Sequence, residues 1–364
     1  MSKTKIKVGF IGLNPGSHWA ATAHLPALKA LSNTFEVVGV ANSSLESAER
    51  TAEALNLKYA FENYEKLVQS PDIDLVVVTV KVPYHFELIQ AALEAGKHVY
   101  SEWPLGNGLE EAQKLEALAK DKGVVAAIGT QMRYAPEITY LKQLLEDGFV
   151  GKVLSTTLIG TGGNWANETL SEYYYLFDKE NGASMLEIPL THTLVGLTEV
   201  LGGIDKVSAN MFSNFDQVKI TETGEVKPKT TEDQIMLQGR LKSGAALSVH
   251  YRGGVSKGTN LLWEINGTEG DIQITADSGH GQMAQLKISG AKSTDEKGLK
   301  PMHPSDAVYE GWPKFPGARN IGHIYKRIAE DILTGSHKAP NFCDGLKWHE
   351  LIEFIKQSAQ NNNK

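Results

Sequence analysis

The first residues able to do chemistry lie at a turn. The run Ile6-Lys7-Val8-Gly9-Phe10-Ile11 stops at Gly12, and Leu13-Asn14-Pro15-Gly16-Ser17 leads into a helical stretch carrying Ala20, Ala21, Leu25, Leu28 and Leu31. A strand, a glycine turn and a helix start form a cradle for a dinucleotide pyrophosphate. Glycine permits close backbone approach, and unpaired N–H groups at the helix start attract the negative charge. Counted from Gly12, the second and third glycines of G-x-G-x-x-G are replaced by Asn14 and Ser17. Asparagine tolerates left-handed backbone angles, so the turn is kept, with a more crowded phosphate. After the next apolar run, 35–41, Asn42-Ser43-Ser44 occupies the place where an acid usually holds the adenosine ribose. A carboxylate there would repel a 2′-phosphate, whereas Asn and Ser would not, which tilts the expected cofactor toward NADP, or NAD and NADP together. The same residues suit a helix cap, and both readings hold together.

The elements needed to position these groups follow in order. Helix 45–55, a short helical piece 64–68, the β-branched run 75–80, helix 86–95 stopped by Gly96, strand 97–100, helix 109–122 and strand 124–128 alternate over the first 130 residues. Alternation of this kind predicts a doubly wound parallel sheet of the Rossmann type, with ligands at the carboxyl ends of its strands. Those ends carry Gly12, Leu13 and Asn14, Asn42 to Ser44, Val80 and His85, Glu102 and Trp103, and Arg133. All of these are candidate dinucleotide contacts. His85 is also suited to capping a helix, and Arg133 to an internal ion pair.

Beyond Gly151 the pattern changes. Strands are expected at 152–159, 206–212, 234–241, 245–251, 260–266 and 271–275, punctuated by glycines, with helices at 190–201, 321–333 and 346–357. This predicts an α/β chain in two domains. A Rossmann domain at 1–130 is followed at 131–364 by an α+β domain with a large, mainly antiparallel open sheet. The segment 289–316 reads as a surface loop, and Asn361-Asn362-Asn363 as a frayed tail.

Composition bounds the function. The 364 residues carry a net charge of −7 without a long basic run, which argues against a direct nucleic-acid ligand. Cys343 is the single cysteine, so no internal disulfide or multi-cysteine metal site is expected, and no metal site of any kind. No apolar run reaches the roughly 18 residues of a membrane span, and no signal peptide is read at Met1-Ser2-Lys3-Thr4. A cytoplasmic protein is expected, with nuclear entry left open.

With these pieces assembled, the chain resembles the glucose–fructose oxidoreductase / inositol dehydrogenase (Gfo/Idh/MocA) family over nearly its whole length. The resemblance rests on 8–13 followed by His24-Leu25-Pro26-Ala27-Leu28, on Ala95-Gly96-Lys97-His98-Val99, on Glu102-x-Pro104, on Met132-Arg133-Tyr134-x-Pro136 and on Gly148-x-x-Gly151-Lys152. Gly267-Thr268-Glu269-Gly270-Asp271 agrees. It implies a nicotinamide cofactor on the first domain and a sugar-like or cyclitol substrate over the second domain's sheet.

Two departures matter. Trp103 stands where the family's Glu-Lys-Pro motif supplies its acid/base lysine, and the family's Asp four residues before a His is Ile188 here, with Glu187 one residue further back from His192. Glu102-Trp103 and 160–165 look most like the branch holding the yeast galactose-regulon repressor, which resembles a dehydrogenase but acts by binding a transcriptional activator. Two functions are therefore expected to compete. In one, hydride moves between nicotinamide and a sugar or polyol, with His192 exchanging the proton near neutral pH, Glu187 assisting and Trp103 stacking on the ring. In the other, the protein is a catalytically silent dinucleotide-binding regulator or scaffold with a protein partner. A homodimer through the outer face of the second sheet is expected in either case, with 234–238 and 246–250 supplying apolar side chains.

Overall fold

The computed structural model describes residues 5–16 and 18–362; Met1 to Thr4, Ser17 and the Asn363 of the expected tail lie outside the described residues. The chain divides into two compact units, Met1–Gln131 with Gly311–His349, and Met132–Glu310 with Glu350–Lys364. The first unit is thus built from two stretches of the chain, with 311–349 returning to it. They do so because the helix Pro316–Thr334 packs on the helix Leu25–Ala30 and Tyr325 hydrogen-bonds His24 at 2.8 Å.

In the first unit β1 (Ile6–Ile11), β2 (Phe35–Ala41), β3 (Tyr59–Phe61), β4 (Leu75–Val78), β5 (His98–Glu102) and β6 (Ala126–Gly129) alternate with α1 (Leu25–Ala30), α2 (Leu45–Leu55), α3 (Tyr64–Gln69), α4 (His85–Glu94) and α5 (Leu109–Lys122). Among the described residues these strands form one parallel sheet in the order β3-β2-β1-β4-β5-β6. The order reverses at β1, so the crevice for a ligand opens between the carboxyl ends of β1 and β4. All four residues of β4 are buried, as a strand covered on both faces requires. A five-residue π-helical segment, Ala20–His24, precedes α1 and brings His24 into the core.

The second unit opens with α6 (Pro136–Glu146) and β7 (Val153–Thr161), then the short β8 (Glu168–Thr169) and α7 (Thr191–Leu201). There follow β9 (Ile204–Phe212), β10 (Gln217–Ile220), β11 (Val226–Pro228), β12 (Gln234–Leu241), β13 (Ala246–Arg252), β14 (Leu261–Gly267), β15 (Gly270–Ala276), β16 (Lys287–Lys292) and β17 (Lys300–Met302). Among the described residues, eight strands make one sheet in the order β17-β16-β15-β14-β7-β13-β12-β9, antiparallel except where β13 pairs with β7. Helices α8 (Pro316–Thr334) and α9 (Phe342–Asn362) close the chain. Three sequence expectations change. The expected loop at 289–316 contains the edge strand β17 and part of β16, whose mixed Lys-Ile-Ser-Gly-Ala-Lys sequence hides a strand. Asn361 and Asn362 belong to α9, and Asn362 donates to Ser208 Oγ (2.8 Å) and the Ala209 carbonyl (3.0 Å), tying the helix to edge strand β9. The apolar residues of β12 and β13 (Ile235, Leu237, Leu247, Val249) are buried on the face where Tyr251 meets α7. The opposite face carries Gln234, Met236, Gln238, Ala246, Ser248 and His250 instead, because strand side chains alternate.

Candidate functional site

At the switch point of the first unit, Gly12 has φ +93°, a left-handed region that favours glycine. A Cβ there would meet Val80 Cγ1 at 2.5 Å and the Thr79 carbonyl oxygen at 3.1 Å. The Thr79 hydroxyl donates to the Gly12 carbonyl (2.8 Å), which locks the two strand ends together. Asn42 is not left free for a ribose. Its Oδ1 accepts from Leu13 N–H (3.0 Å) and its Nδ2 donates to the Leu13 carbonyl (2.8 Å), so its amide holds the turn in place. Asn14 Oδ1 accepts from Gly16 N–H (3.1 Å), and Ser44 caps α2 through the Ser47 N–H (3.2 Å). Ser43 is exposed beside it. Glu46 stands in the first turn of α2, and Arg50 is ion-paired to it.

Further along the sheet, His85 is buried, with its ring nitrogens on the carbonyls of Pro104 (2.6 Å) and Val80 (3.0 Å). It staples the loops after β4 and β5, and burial lowers its pKa against those bonds. Its sequence role as a dinucleotide contact gives way to this structural one. Glu102 meets His24 Nε2 at 3.0 Å, and His24 Nδ1 meets the Tyr325 hydroxyl. Trp103 is 5% exposed, its ring 4.8 Å from that of His349. Lining the end of β6, Thr130 and Gln131 are buried, and Thr130 Oγ1 and Gln131 Oε1 have no hydrogen-bond partner. In the sequence, Gln131 stands only within the strand end 131–133 and Thr130 carries no signal, because only burial distinguishes them from ordinary loop polar residues. The positive-φ cradle at Gly12 and these two orphaned oxygens fit a dinucleotide on this edge.

In the second unit, Arg133 is answered inside the protein. Glu199 of α7 takes it at 3.0 and 3.1 Å and takes Lys142 at 2.8 Å, so Arg133 is an internal ion pair rather than the expected dinucleotide contact. His192 is 3% exposed, its Nδ1 has no partner, and burial, with the nearby His280 contributing, pushes its pKa down to about 3. It is a neutral imidazole at pH 7 and not the near-neutral proton exchanger expected from sequence. Glu187 does not assist it. Burial raises the Glu187 pKa, but Lys356 at 2.6 Å and hydrogen bonds from Ser184 outweigh that and hold the carboxylate ionised. Beside His192, Thr193 Oγ1 meets the Tyr251 hydroxyl (2.6 Å), which donates to the Gly279 carbonyl (2.7 Å), and His280 stacks on Trp165. Sequence reading missed this layer, because its members come from four separate segments. Among the described residues no cluster of three His, Cys, Asp or Glu could hold a metal ion, and no helix is long and apolar enough to cross a membrane.

Comparison with known proteins decides the family. Residues 6–130 match the family described as oxidoreductase family, NAD-binding Rossmann fold (GFO_IDH_MocA), and residues 136–276 match the Gal80p C-terminal domain. The galactose/lactose metabolism regulatory protein GAL80 of Kluyveromyces lactis is 33% identical over 307 residues, 79% of this chain and 67% of that protein. This chain belongs to the Gfo/Idh/MocA family. The dehydrogenase aclE of Aspergillus oryzae is 31% identical over 329 residues, 86% of this chain and 89% of that one. The crystal structure of a super-repressor mutant of Gal80p from Saccharomyces cerevisiae superposes with a TM-score of 0.89 at 26% identity, covering 99% of this chain and 97% of the other. The Gfo/Idh/MocA member described here therefore pairs an NAD-binding Rossmann unit with a Gal80p-like second unit.

Proposed function

We propose that this protein is an NAD-binding regulator that acts through a protein partner and does not turn over a sugar. The observation that carries the reading is Trp103. It fills, almost fully buried, the sequence position at which the family's acid/base lysine stands, and an indole neither donates nor accepts the proton that hydride transfer requires. The state of the second unit's groups supports it: Glu187 is committed to Lys356, and His192 stays neutral. The likeness to the GAL80 regulatory proteins points the same way. NAD is the dinucleotide, in place of the tilt toward NADP read from the sequence. Glu46 stands in the first turn of α2, and the Arg50 guanidinium that could have met a 2′-phosphate is paired to it. When bound, the cofactor would supply hydride chemistry at the nicotinamide ring. The chain's own parts would hold it: the turn at Gly12–Gly16, fastened by Asn42 and Thr79, would take the pyrophosphate, and Trp103 would close over the ring. The reading calls for a cytoplasmic protein able to meet its partner in the nucleus. Capture of partners from source cells with and without NAD tests it. A partner whose recovery changes with NAD supports the proposal, and recovery of this protein alone under both conditions contradicts it.

One observation favours a second reading. His192 keeps an unpartnered Nδ1 in a buried layer that also holds the Tyr251 hydroxyl, where a sugar or polyol hydroxyl would find a hydrogen-bond partner. The 31% identity to a dehydrogenase agrees with it. In that case His192→Ala would abolish turnover while leaving NAD binding intact.

A further inference from the structure

Among the described residues, the eight-stranded sheet of the second unit ends in two edge strands that are guarded differently. β17 is three residues long and carries Lys300 and Pro301, a short, charged edge with a proline that discourages further pairing. β9 is nine residues long and holds no proline, so its outer edge is a full row of backbone groups able to pair with another strand. The end of α9 lies along that row. Ala209 N–H donates to Ser358 Oγ (3.1 Å), the Ser358 hydroxyl donates to the Val207 carbonyl (3.5 Å), and Asn362 Nδ2 donates to the Ala209 carbonyl (3.0 Å). In an antiparallel ladder successive residues turn their N–H and C=O groups to opposite sides, so the groups at 207 and 209 that α9 meets are those facing away from β12. Ser358 and Asn362 stand four residues apart and share one face of the helix.

We propose that the last turn of α9 is a built-in cover for the edge of β9, and that its release lets two copies of this chain join edge to edge through antiparallel β9 strands. The inference goes beyond the regulator reading and does not depend on NAD. Hydrogen bonds rather than packing hold the cover. Beyond Ala359, which is buried, the described residues Gln360, Asn361 and Asn362 are all exposed. The helix before them has anchors of its own in buried Ile352 and Ile355 and in the Lys356–Glu187 ion pair, so the last turn can come away without unseating the rest. A second copy fits the uncovered row because two-fold pairing is self-complementary: each β9 offers the other the same N–H and C=O groups in antiparallel order. Phe212, 45% exposed at the end of the strand, adds apolar area to such a joint. With a homodimer expected across the outer face of the sheet, a second two-fold contact on its edge would extend from dimer to dimer without closing. The cover therefore keeps assembly finite.

The test compares the full wild-type chain with three full-length variants. Ser358→Ala combined with Asn362→Ala removes the bonds and keeps the helix, Ser358→Pro unwinds its end, and Ser358→Thr keeps a hydroxyl. Amide hydrogen exchange over 207–211 reads the cover, and light scattering from micromolar to millimolar concentration reads assembly. In dilute samples of the alanine pair and of Ser358→Pro, exchange over 207–211 should be about tenfold faster than in wild type, the worth of one hydrogen bond. Their mass should then climb with concentration past the wild-type species, and exchange over 207–211 should slow again as it climbs. Ser358→Thr should match wild type in both readouts. Far-UV circular dichroism identifies folded samples, and the alanine pair, whose residues favour a helix, supplies one if Ser358→Pro does not. Wild-type exchange in the folded variants would overturn the cover. Faster exchange with wild-type mass at every concentration, or growth that leaves 207–211 fast, would overturn the edge joint.

Discussion

At the scale of single residues, the account turns on Trp103 and His192. If Trp103 has replaced the acid/base of a dehydrogenase site, Trp103→Lys should raise hydride transfer from a suitable sugar by about 10²–10⁴-fold, the usual worth of a positioned acid/base. Single-turnover absorbance of reduced cofactor reads it, and an unchanged rate would mean that more than the lysine is missing. His192 makes a prediction about stability. Its pKa is about 3 in the folded chain against 6.5 for the free side chain, so between those values the unfolded chain binds the extra proton. Stability is therefore fully present above pH 6.5 and falls as the pH drops toward 3. Replacing it by a residue that does not titrate, His192→Asn, should make the decline in Tm between pH 7 and pH 4 shallower, as measured by thermal unfolding. An identical slope would show that His192 is not held neutral. The identities of both residues were legible in the sequence because each stands at a motif position. The absence of help from Glu187 was not, because Lys356 lies 169 positions away in α9 and neither composition nor spacing announces that pairing.

At the scale of elements, alternating β and α patterns made the parallel sheet and its ligand edge readable, since buried parallel strands are continuous apolar runs such as Leu75–Val78. What escaped was produced by tertiary contact. Asn42 stands at the sequence position of a ribose ligand or helix cap, but it is a clamp on the Leu13 backbone, and polar β16 and β17 carry no periodic signal. The turn can be tested directly. Gly12→Ala would put a Cβ 2.5 Å from Val80 at φ +93°, so it should weaken NAD binding at least tenfold and lower Tm, whereas Asn14→Gly, which leaves that contact alone, should not. Calorimetry on both variants checks this, and wild-type affinity in Gly12→Ala would contradict the cradle.

At the scale of the whole molecule, the open sheet of the second unit has one face packed and one unpacked. Across β12, β13, β7 and β14 the unpacked face carries the row Met236, His250, Ile159 and Leu262 in register, three apolar side chains and a histidine among polar neighbours. A homodimer covering this face is the expected state, and light scattering at micromolar concentration should return twice the mass of the 39.7 kDa chain. A monomeric mass would contradict it, and Met236→Lys, an unpaired charge on that row, should shift a dimer toward monomer. The most direct test of the central claim is hydride transfer itself. Protein at stoichiometric concentration is mixed with NAD and a panel of sugars and polyols, and absorbance of reduced cofactor is followed, with NAD binding confirmed in the same sample. The account predicts bound NAD and no reduced cofactor with any member of the panel; reduction in proportion to the protein present by even one sugar would contradict it.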